Sequence, residues 1–482
     1  MNIDVAVIGG GMSGLSAAQE LRARGFSVVV LERQARPGGN AASERIGGFL
    51  MEHGPSTIPA DSTIAAEYSQ TLGLEPGRCD LGDDVRSRYL VKQGRLEGIS
   101  THALGFLTSN YLSLQGRLRM MAEFAVPRGG AALGQEESVE EFCTRRFGSE
   151  FSRAVMDPMV GGIYAGSAET LSVSAIFPKL VELEKKAGSI VRGAMLRRAR
   201  GGRMPGSRLY SWRDGVGALP EALARRLASI VRTGVTVRRV TACAGGGFQV
   251  DLGADGKLKS RAVVVATQPH VSAQLLEHLD SETADAARAI PAPPLAVAFL
   301  GYRRDQIAHP LDGLGFLAPR NAGSLLNGAQ FCSTMFAGRA PKGHVAIACY
   351  IGGARAPALG GLTADALIDL ARTELRDLVG VRGDPVVAQT RHWARGLPQY
   401  TLGHEERTKV LGQASERHPG LFLTGNYFDG PSVAACLGVS RRVAGEVAKT
   451  LVVPASKAVN RDTCDGPETL HWPTGSAQWS NR

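Results

Sequence analysis

"DVAVIGGGMSGLSAAQELRARGFSVVVLE", residues 4–32, decides the fold. "DVAVIG" is a short apolar strand. From Met12 to Arg24 the apolar positions Leu15, Ala18 and Leu21 recur at helical spacing, Gly25 ends the helix, and "SVVVLE" is a second strand. The stretch therefore predicts one β-α-β unit. At the join of strand and helix, Gly9, Gly11 and Gly14 form G-x-G-x-x-G, with Gly10, Met12 and Ser13 filling the loop. There the first glycine permits a tight turn, the second lets the backbone approach a pyrophosphate, and the third lets helix pack against strand. The helix N-terminus offers unpaired N–H groups and a positive dipole end to the phosphates. Glu32, closing the second strand, stands where an acid accepts hydrogen bonds from a ribose and repels a 2′-phosphate. NADP is thereby disfavoured, and NAD and FAD both remain.

The rest of the composition narrows the field. A chain of 482 residues has room for about two or three domains. No stretch of about 20 uninterrupted apolar residues exists, and the chain runs from Met1 straight into a strand pattern, so a cytoplasmic protein without signal peptide or spanning helix is expected. The seven cysteines are scattered without a C-x-x-C pair, and the ten histidines form no H-x-x-x-H or H-E-x-x-H pattern, which predicts reduced thiols and no metal site. No G-x-S-x-G elbow for a serine nucleophile is present. The net charge of +10 is concentrated: nine basic residues and no acid lie between Lys185 and Arg213. That run is either a solvated, glycine-interrupted loop or a patch facing anionic lipid or a carboxylated substrate. No nucleic-acid module accompanies it, which drops nucleic acid as a partner.

Further along, residues 101–126 look helical and apolar over much of their surface, and a second helical stretch runs from Val139 past Met156. "VTVRRV", the turn "AGGG" and "FQVDL" (235–252) read as a hairpin, followed by the strand "AVVVAT". From about Pro291 to Gln399 strands such as "LAVAFLGY" and "HVAIACYIGG" dominate, with one helix from Ala364 to Leu378. The strand "LFLTG" and a helix from about Val433 to Leu451 precede a polar, aperiodic tail that reads as disordered.

Four further segments carry a resemblance. "RQARPGGNAASERIGGFLMEHGPST" (33–57) places Arg33, the Gly38-Gly39 doublet and Gly54, Pro55, Ser56 and Thr57 after Glu32. "EFCTRRFGSEFSRAVMDPMVGGIYAGSAETLS" (141–172), "GLPQYTLGH" (396–404) and "LTGNYFDGPSVAACLGVSRRVA" (423–444) follow in order. The first resembles the fingerprint of the amine oxidase-like flavoprotein superfamily, and the set is similar to the oxygen-dependent protoporphyrinogen oxidase family within it. The resemblance implies FAD rather than NAD, held by Gly9 to Gly14, Glu32, Arg33, Gly38, Gly39, Gly54 to Thr57, Val237, Gly425, Gly430, Pro431, Ser432 and Val433, with Trp393 a further candidate. It implies that Arg88, in "SRYLVKQGRL", meets a substrate propionate, a task that suits the bidentate guanidinium. No catalytic acid or base stands out, consistent with redox chemistry carried by the flavin.

The fold implied is α/β: a Rossmann-like FAD-binding domain (1–85, 206–275 and 412–453), a helical, membrane-facing cap (86–205), a β-rich substrate domain (276–411) and a polar tail (454–482). The activity implied is six-electron oxidation of protoporphyrinogen IX to protoporphyrin IX in haem synthesis, with molecular oxygen as acceptor and with peripheral membrane association expected beside it. Two alternatives stand beside it. A carotenoid- or squalene-type desaturase would have no use for Arg88, and a flavin-free binder resembling Rab GDP-dissociation inhibitors would be colourless.

Overall fold

The computed structural model describes residues 3–99, 111–199 and 208–452. The polar tail, the first ten residues of the helix expected over 101–126 and the centre of the basic run lie outside the described residues.

β1 (Ile3–Ile8) and β2 (Val28–Glu32) are almost wholly buried, as parallel strands covered on both faces must be, and the helix α1 (Met12–Ala23) joins them. They lie at the heart of a sheet in which β10 (Val231–Thr233), β2, β1, β13 (Lys257–Val265), β12 (Phe248–Asp251) and β11 (Arg239–Ala242) follow one another, with β19 (Leu421–Leu423) also paired to β13. β10 (Val231–Thr233), β2, β1, β13 and β19 are parallel. β11 (Arg239–Ala242) and β12 (Phe248–Asp251) form an antiparallel hairpin around the three glycines, as expected. "VTVRRV" is not one strand, however. Gly234, at φ +73°, turns the chain after β10, and only Arg239 onward pairs with β12.

On one face of this sheet Leu15, Ala18 and Leu21 of α1 pack with Leu437, Val443 and Val447 of the helix Val433–Val452. Burial of those side chains, at about 25 cal/mol per Å² of apolar surface, holds the chain's last helix against its first. Its N-terminus thus comes beside that of α1.

The second sheet is ordered β18-β14-β17-β16-β15-β7-β8: β18 (Val387–Trp393), β14 (Leu295–Arg303), β17 (His344–Gly352), β16 (Leu326–Phe331), β15 (Gly313–Leu317), β7 (Ser87–Lys92) and β8 (Arg95–Ile99). Residues 87–99, grouped above with the helical cap, are therefore two of its strands, because β7 pairs in parallel with β15. Ala296, Leu300, Phe316, Ala329, Cys349 and Ile351 cover one face beneath the amphipathic helix Ala364–Val379. The other face meets Phe49 and Met51 of the hairpin β3 (Ser43–Ile46)–β4 (Phe49–Glu52) and, further across, the cap. A small sheet of β5 (Ile58–Pro59), β9 (Leu209–Trp212) and β6 (Arg78–Asp80) lies between the segments.

In the cap the helix Val139–Phe147 starts with a capping box of Ser138 and Glu141 and stops at Gly148, φ +96°. Buried Arg146 ties it to Glu123 and to Glu184 of the helix Pro178–Ala187. Among the described residues no helix is long and apolar enough to cross a membrane, and no group of three or more candidate ligands could hold a metal ion.

Candidate functional site

The glycines of the opening motif each meet a specific obstacle. Gly9 sits at φ +106°, and a Cβ there would lie 2.6 Å from the carbonyl oxygen of Ala266. A Cβ on Gly14 would lie 1.8 Å from the carbonyl oxygen of Gly9, which is the close packing of helix on strand that a third glycine provides. Gly11 differs. The nearest atom to its Cβ position is Gly39 Cα at 3.8 Å, so nothing in the chain fills that space. Gly38 N–H donates to the Gly10 carbonyl at 2.8 Å, and Gly11 and Gly38 pair in a short parallel bridge, so the doublet "PGG" is laid directly against the first loop. Two bare backbones thus face each other at the N-terminus of α1. That is the cradle a pyrophosphate needs.

Glu32 is buried at the end of β2, its Oε2 accepting from Gly10 N–H at 2.6 Å and its Oε1 from Gln34 N–H at 2.7 Å. These two bonds fix the carboxylate and leave lone pairs for a ribose. Arg33 follows it in the exposed turn. Val235 N–H donates to the Glu32 carbonyl at 3.0 Å, bringing the extended segment with Val237 beside the same end of β2. Across the site, Gly425 opens the closing loop and Gly430 adopts φ +129°. After Pro431, Ser432 caps the helix Val433–Val452 by accepting from Ala435 N–H at 3.1 Å. Ser440 Oγ donates to the Ser13 carbonyl at 2.9 Å, which locks Met12–Gly14 to that helix. The sequence-predicted nucleotide residues therefore converge, and they fit FAD: a cradle of bare glycine backbone, two helix N-termini and a fixed acid.

Gly54 to Thr57 leave this cradle towards the second sheet. A Cβ on Gly54 would meet the Asn40 carbonyl at 2.5 Å, and Trp393 Nε1–H donates to Asn40 Oδ1 at 3.2 Å, so Trp393 closes the same corner from β18. Ser56 Oγ donates to Gln330 Oε1 at 2.9 Å on β16.

Arg88 lies on β7. Tyr89 and Val91 face the core under the helix Ala364–Val379, whereas Leu90 faces Tyr111, Leu112 and Val155 of the cap, so alternation places Arg88 on the cap-side face with Leu90. Its guanidinium is half-buried and pushed below its ordinary value by that burial, and among the described residues no carboxylate pairs with it. Burying an unpaired cation is costly, so the position is suited to receive an anion.

Sequence reasoning missed several groups here. Buried Glu52 accepts from Val216 N–H at 3.0 Å and pairs with buried Arg339 at 3.3 Å, and burial pushes its carboxyl up to about 7 despite that arginine. His404, which closes "PQYTLGH", is buried with its Nε2 2.8 Å from the Tyr427 carbonyl and its Nδ1 without a partner. Burial pushes this imidazole down to about 4. Since a carbonyl can only accept, Nε2 carries the hydrogen. No periodicity or spacing announced these pairings, which join segments far apart in the chain.

The whole architecture has relatives. A model of flavin-containing amine oxidoreductases matches residues 12–448. The chloroplastic protoporphyrinogen oxidase of Nicotiana tabacum is 31% identical, with 92% of this chain and 85% of that protein covered. The coproporphyrinogen III oxidase of Bacillus subtilis is 25% identical, over 90% and 95%. A crystal structure from Exiguobacterium sp. 255-15 superposes with a TM-score of 0.80, covering 93% of this chain and 99% of that one at 22% identity. The chain belongs to the flavin-containing amine oxidoreductase family and is an FAD-dependent oxidoreductase.

Proposed function

We propose that this enzyme oxidises protoporphyrinogen IX to protoporphyrin IX, with molecular oxygen as the final acceptor. The observation that carries the reading is Arg88: a half-buried cation with no carboxylate partner among the described residues, on the same sheet face as Leu90 and Leu317. A porphyrinogen is a broad apolar ring bearing propionates, and it supplies both what that face would cover and what the guanidinium lacks. The protoporphyrinogen and coproporphyrinogen oxidases among the relatives support the same substrate class.

When bound, FAD supplies the two-electron acceptor for each of three steps, and oxygen regenerates it as hydrogen peroxide forms. The chain's own part is placement. Arg88 anchors a propionate, Leu317 contributes apolar surface on the same face, and Leu90, buried against Tyr111, Leu112 and Val155, fastens β7 to the cap. No proton-transferring side chain is required of the protein.

The cap also supports contact with anionic lipid. Leu114, Leu118 and Met121 lie on one face of the helix Leu114–Met121, and Phe124 (60% exposed) continues it. Met195 (67% exposed) and Leu196 stand on the helix Ile190–Ala199 among Arg192, Arg197 and Arg198. Apolar side chains ringed by cations suit the surface of an anionic bilayer.

Aerobic incubation with protoporphyrinogen tests the reading. Porphyrin fluorescence should appear together with about three peroxides per porphyrin formed, following from three two-electron steps each reoxidised by oxygen. Turnover of a squalene- or phytoene-like chain in place of any porphyrinogen would overturn it.

A further inference from the structure

Gln330 is the penultimate residue of β16, on the sheet face that carries Arg88. Phe316 pairs with both Tyr89 and Ala329 beneath the helix Ala364–Val379, so the neighbouring positions Arg88, Gly315 and Gln330 lie on the opposite face. Gly315 pairs with Gln330 and separates it from Arg88. Its φ of +133° and the Ala329 carbonyl oxygen, 2.0 Å from any Cβ built there, keep side chains out of this strip. The register of β7 against β15 shifts between Gly313 and Phe316, so Leu314 and Gly315 together stand opposite Arg88, and Gln330 lies one strand further on, about 10 Å away by strand spacing.

The amide of Gln330 is held. Its Oε1 accepts from Ser56 Oγ at 2.9 Å and from Tyr350 Oη at 3.0 Å, which uses both lone pairs of that oxygen. Burial keeps the Tyr350 phenol protonated far above neutrality. Turning the amide over would leave that buried O–H without an acceptor. The amide nitrogen therefore points away from Ser56 and Tyr350, and among the described residues no acceptor reaches its two N–H groups.

A donor pair without an acceptor needs an oxygen. The four pyrrole nitrogens of a porphyrinogen all carry hydrogen, so the only acceptors the substrate offers are its carboxylates. We infer that Gln330 is a specificity-determining residue that binds the second carboxylate of the substrate while Arg88 binds the first. This inference rests on the porphyrinogen reading above. The two propionates, each on a flexible two-carbon arm, would straddle the β15 bulge at Leu314 and Gly315, and the separation of Arg88 and Gln330 would set the rotation of the ring above the flavin.

The test compares wild type with Gln330→Met, which keeps length and loses the donors, and Tyr350→Phe, which loosens the amide and leaves it in place. For protoporphyrinogen, Gln330→Met should raise KM about tenfold with a smaller fall in kcat, as loss of a hydrogen bond to a charged group implies. Tyr350→Phe should raise KM by less. Titration of the flavin-loaded protein with the dicarboxylic porphyrin product should show the same order of dissociation constants, and its dimethyl ester, which keeps carbonyl acceptors but loses the charge, should show a smaller difference between wild type and Gln330→Met. Flavin content and melting temperature should match wild type in Tyr350→Phe. Unchanged KM and product affinity in Gln330→Met would overturn the assignment. So would an altered flavin absorbance spectrum with KM unchanged, which would mean that the amide serves the cofactor. A wild type that neither oxidises nor binds any porphyrinogen would remove the proposed function itself, whereas normal wild-type turnover with indifferent variants would remove only this inference.

Discussion

Acid should loosen the closing loop of the flavin site before it unfolds the rest of the protein, and His404 is the reason. Its imidazole sits between the "PQYTLGH" segment and Tyr427, with Nε2–H donating to the Tyr427 carbonyl and Nδ1 buried without a partner. Protonation would place a second hydrogen, and a charge, where nothing can accept it. Burial accordingly brings the group from its ordinary 6.5 to about 4 in the folded protein. The unfolded chain then binds a proton more readily than the native one throughout that interval, so stability is full above about pH 6.5 and falls as pH drops towards 4. The whole interval is worth about 3 kcal/mol, and about 2 kcal/mol of it is lost by pH 5. His404→Gln tests this, because glutamine offers a donor to the Tyr427 carbonyl and cannot titrate. Urea unfolding at pH 7.5 and pH 5, followed by flavin fluorescence, should show wild type losing about 2 kcal/mol more than the variant between the two. Equal losses would refute the reasoning.

The open space at Gly11 and the crowding at Gly14 predict opposite failures: Gly11→Ala should fold with a near-normal apoprotein melting temperature yet load little FAD, whereas Gly14→Ala should lower the apoprotein melting temperature itself, both read by calorimetry and absorbance. Arg88→Ala should raise KM for protoporphyrinogen at least tenfold, and Arg88→Lys should recover only part, with flavin content normal in both. Arg146→Met should destabilise by about 3–5 kcal/mol, since it leaves Glu123 buried and unpaired, and adding Glu123→Gln should restore part of the loss in thermal unfolding. Sedimentation with anionic vesicles should be strong at low salt, weaken at high salt, and fall in a Leu118→Ser/Met195→Ser double variant.

What could be read from sequence followed the range of the interactions. The β-α-β unit is local: its strands, its helix and its glycines lie within residues 3–32, and periodicity with a loop motif specifies them together. The helix Val433–Val452 and the strands β14 and β17 carried equally local patterns. Strand β7 was grouped with the helical cap, because the pairing that settles its place, with β15, lies more than two hundred residues downstream. β11 was misplaced because the propensity of Val235 and Val237 for a strand yields to the turn at Gly234, which gives those residues to the edge of the nucleotide site instead. At the site, the glycines and Glu32 were legible because each is a backbone requirement of the loop. Gln330 was not: in "LNGAQF" it is one polar residue in an apolar strand, and its meaning comes from Ser56, 274 residues away, and from Tyr350 on the next strand. His404 was seen only as part of a motif, since the carbonyl that fixes its tautomer belongs to another segment.

If a porphyrinogen bound against Arg88 reduces this flavin, anaerobic rapid mixing of the flavin-loaded enzyme with protoporphyrinogen will show it, because the cofactor is watched without any later step. The flavin absorbance should bleach in wild type at a rate that saturates with substrate, bleach in Arg88→Ala only at far higher concentrations, and return when oxygen is admitted. A flavin that stays oxidised with every porphyrinogen offered, or that bleaches with the same concentration dependence in Arg88→Ala, would contradict the account.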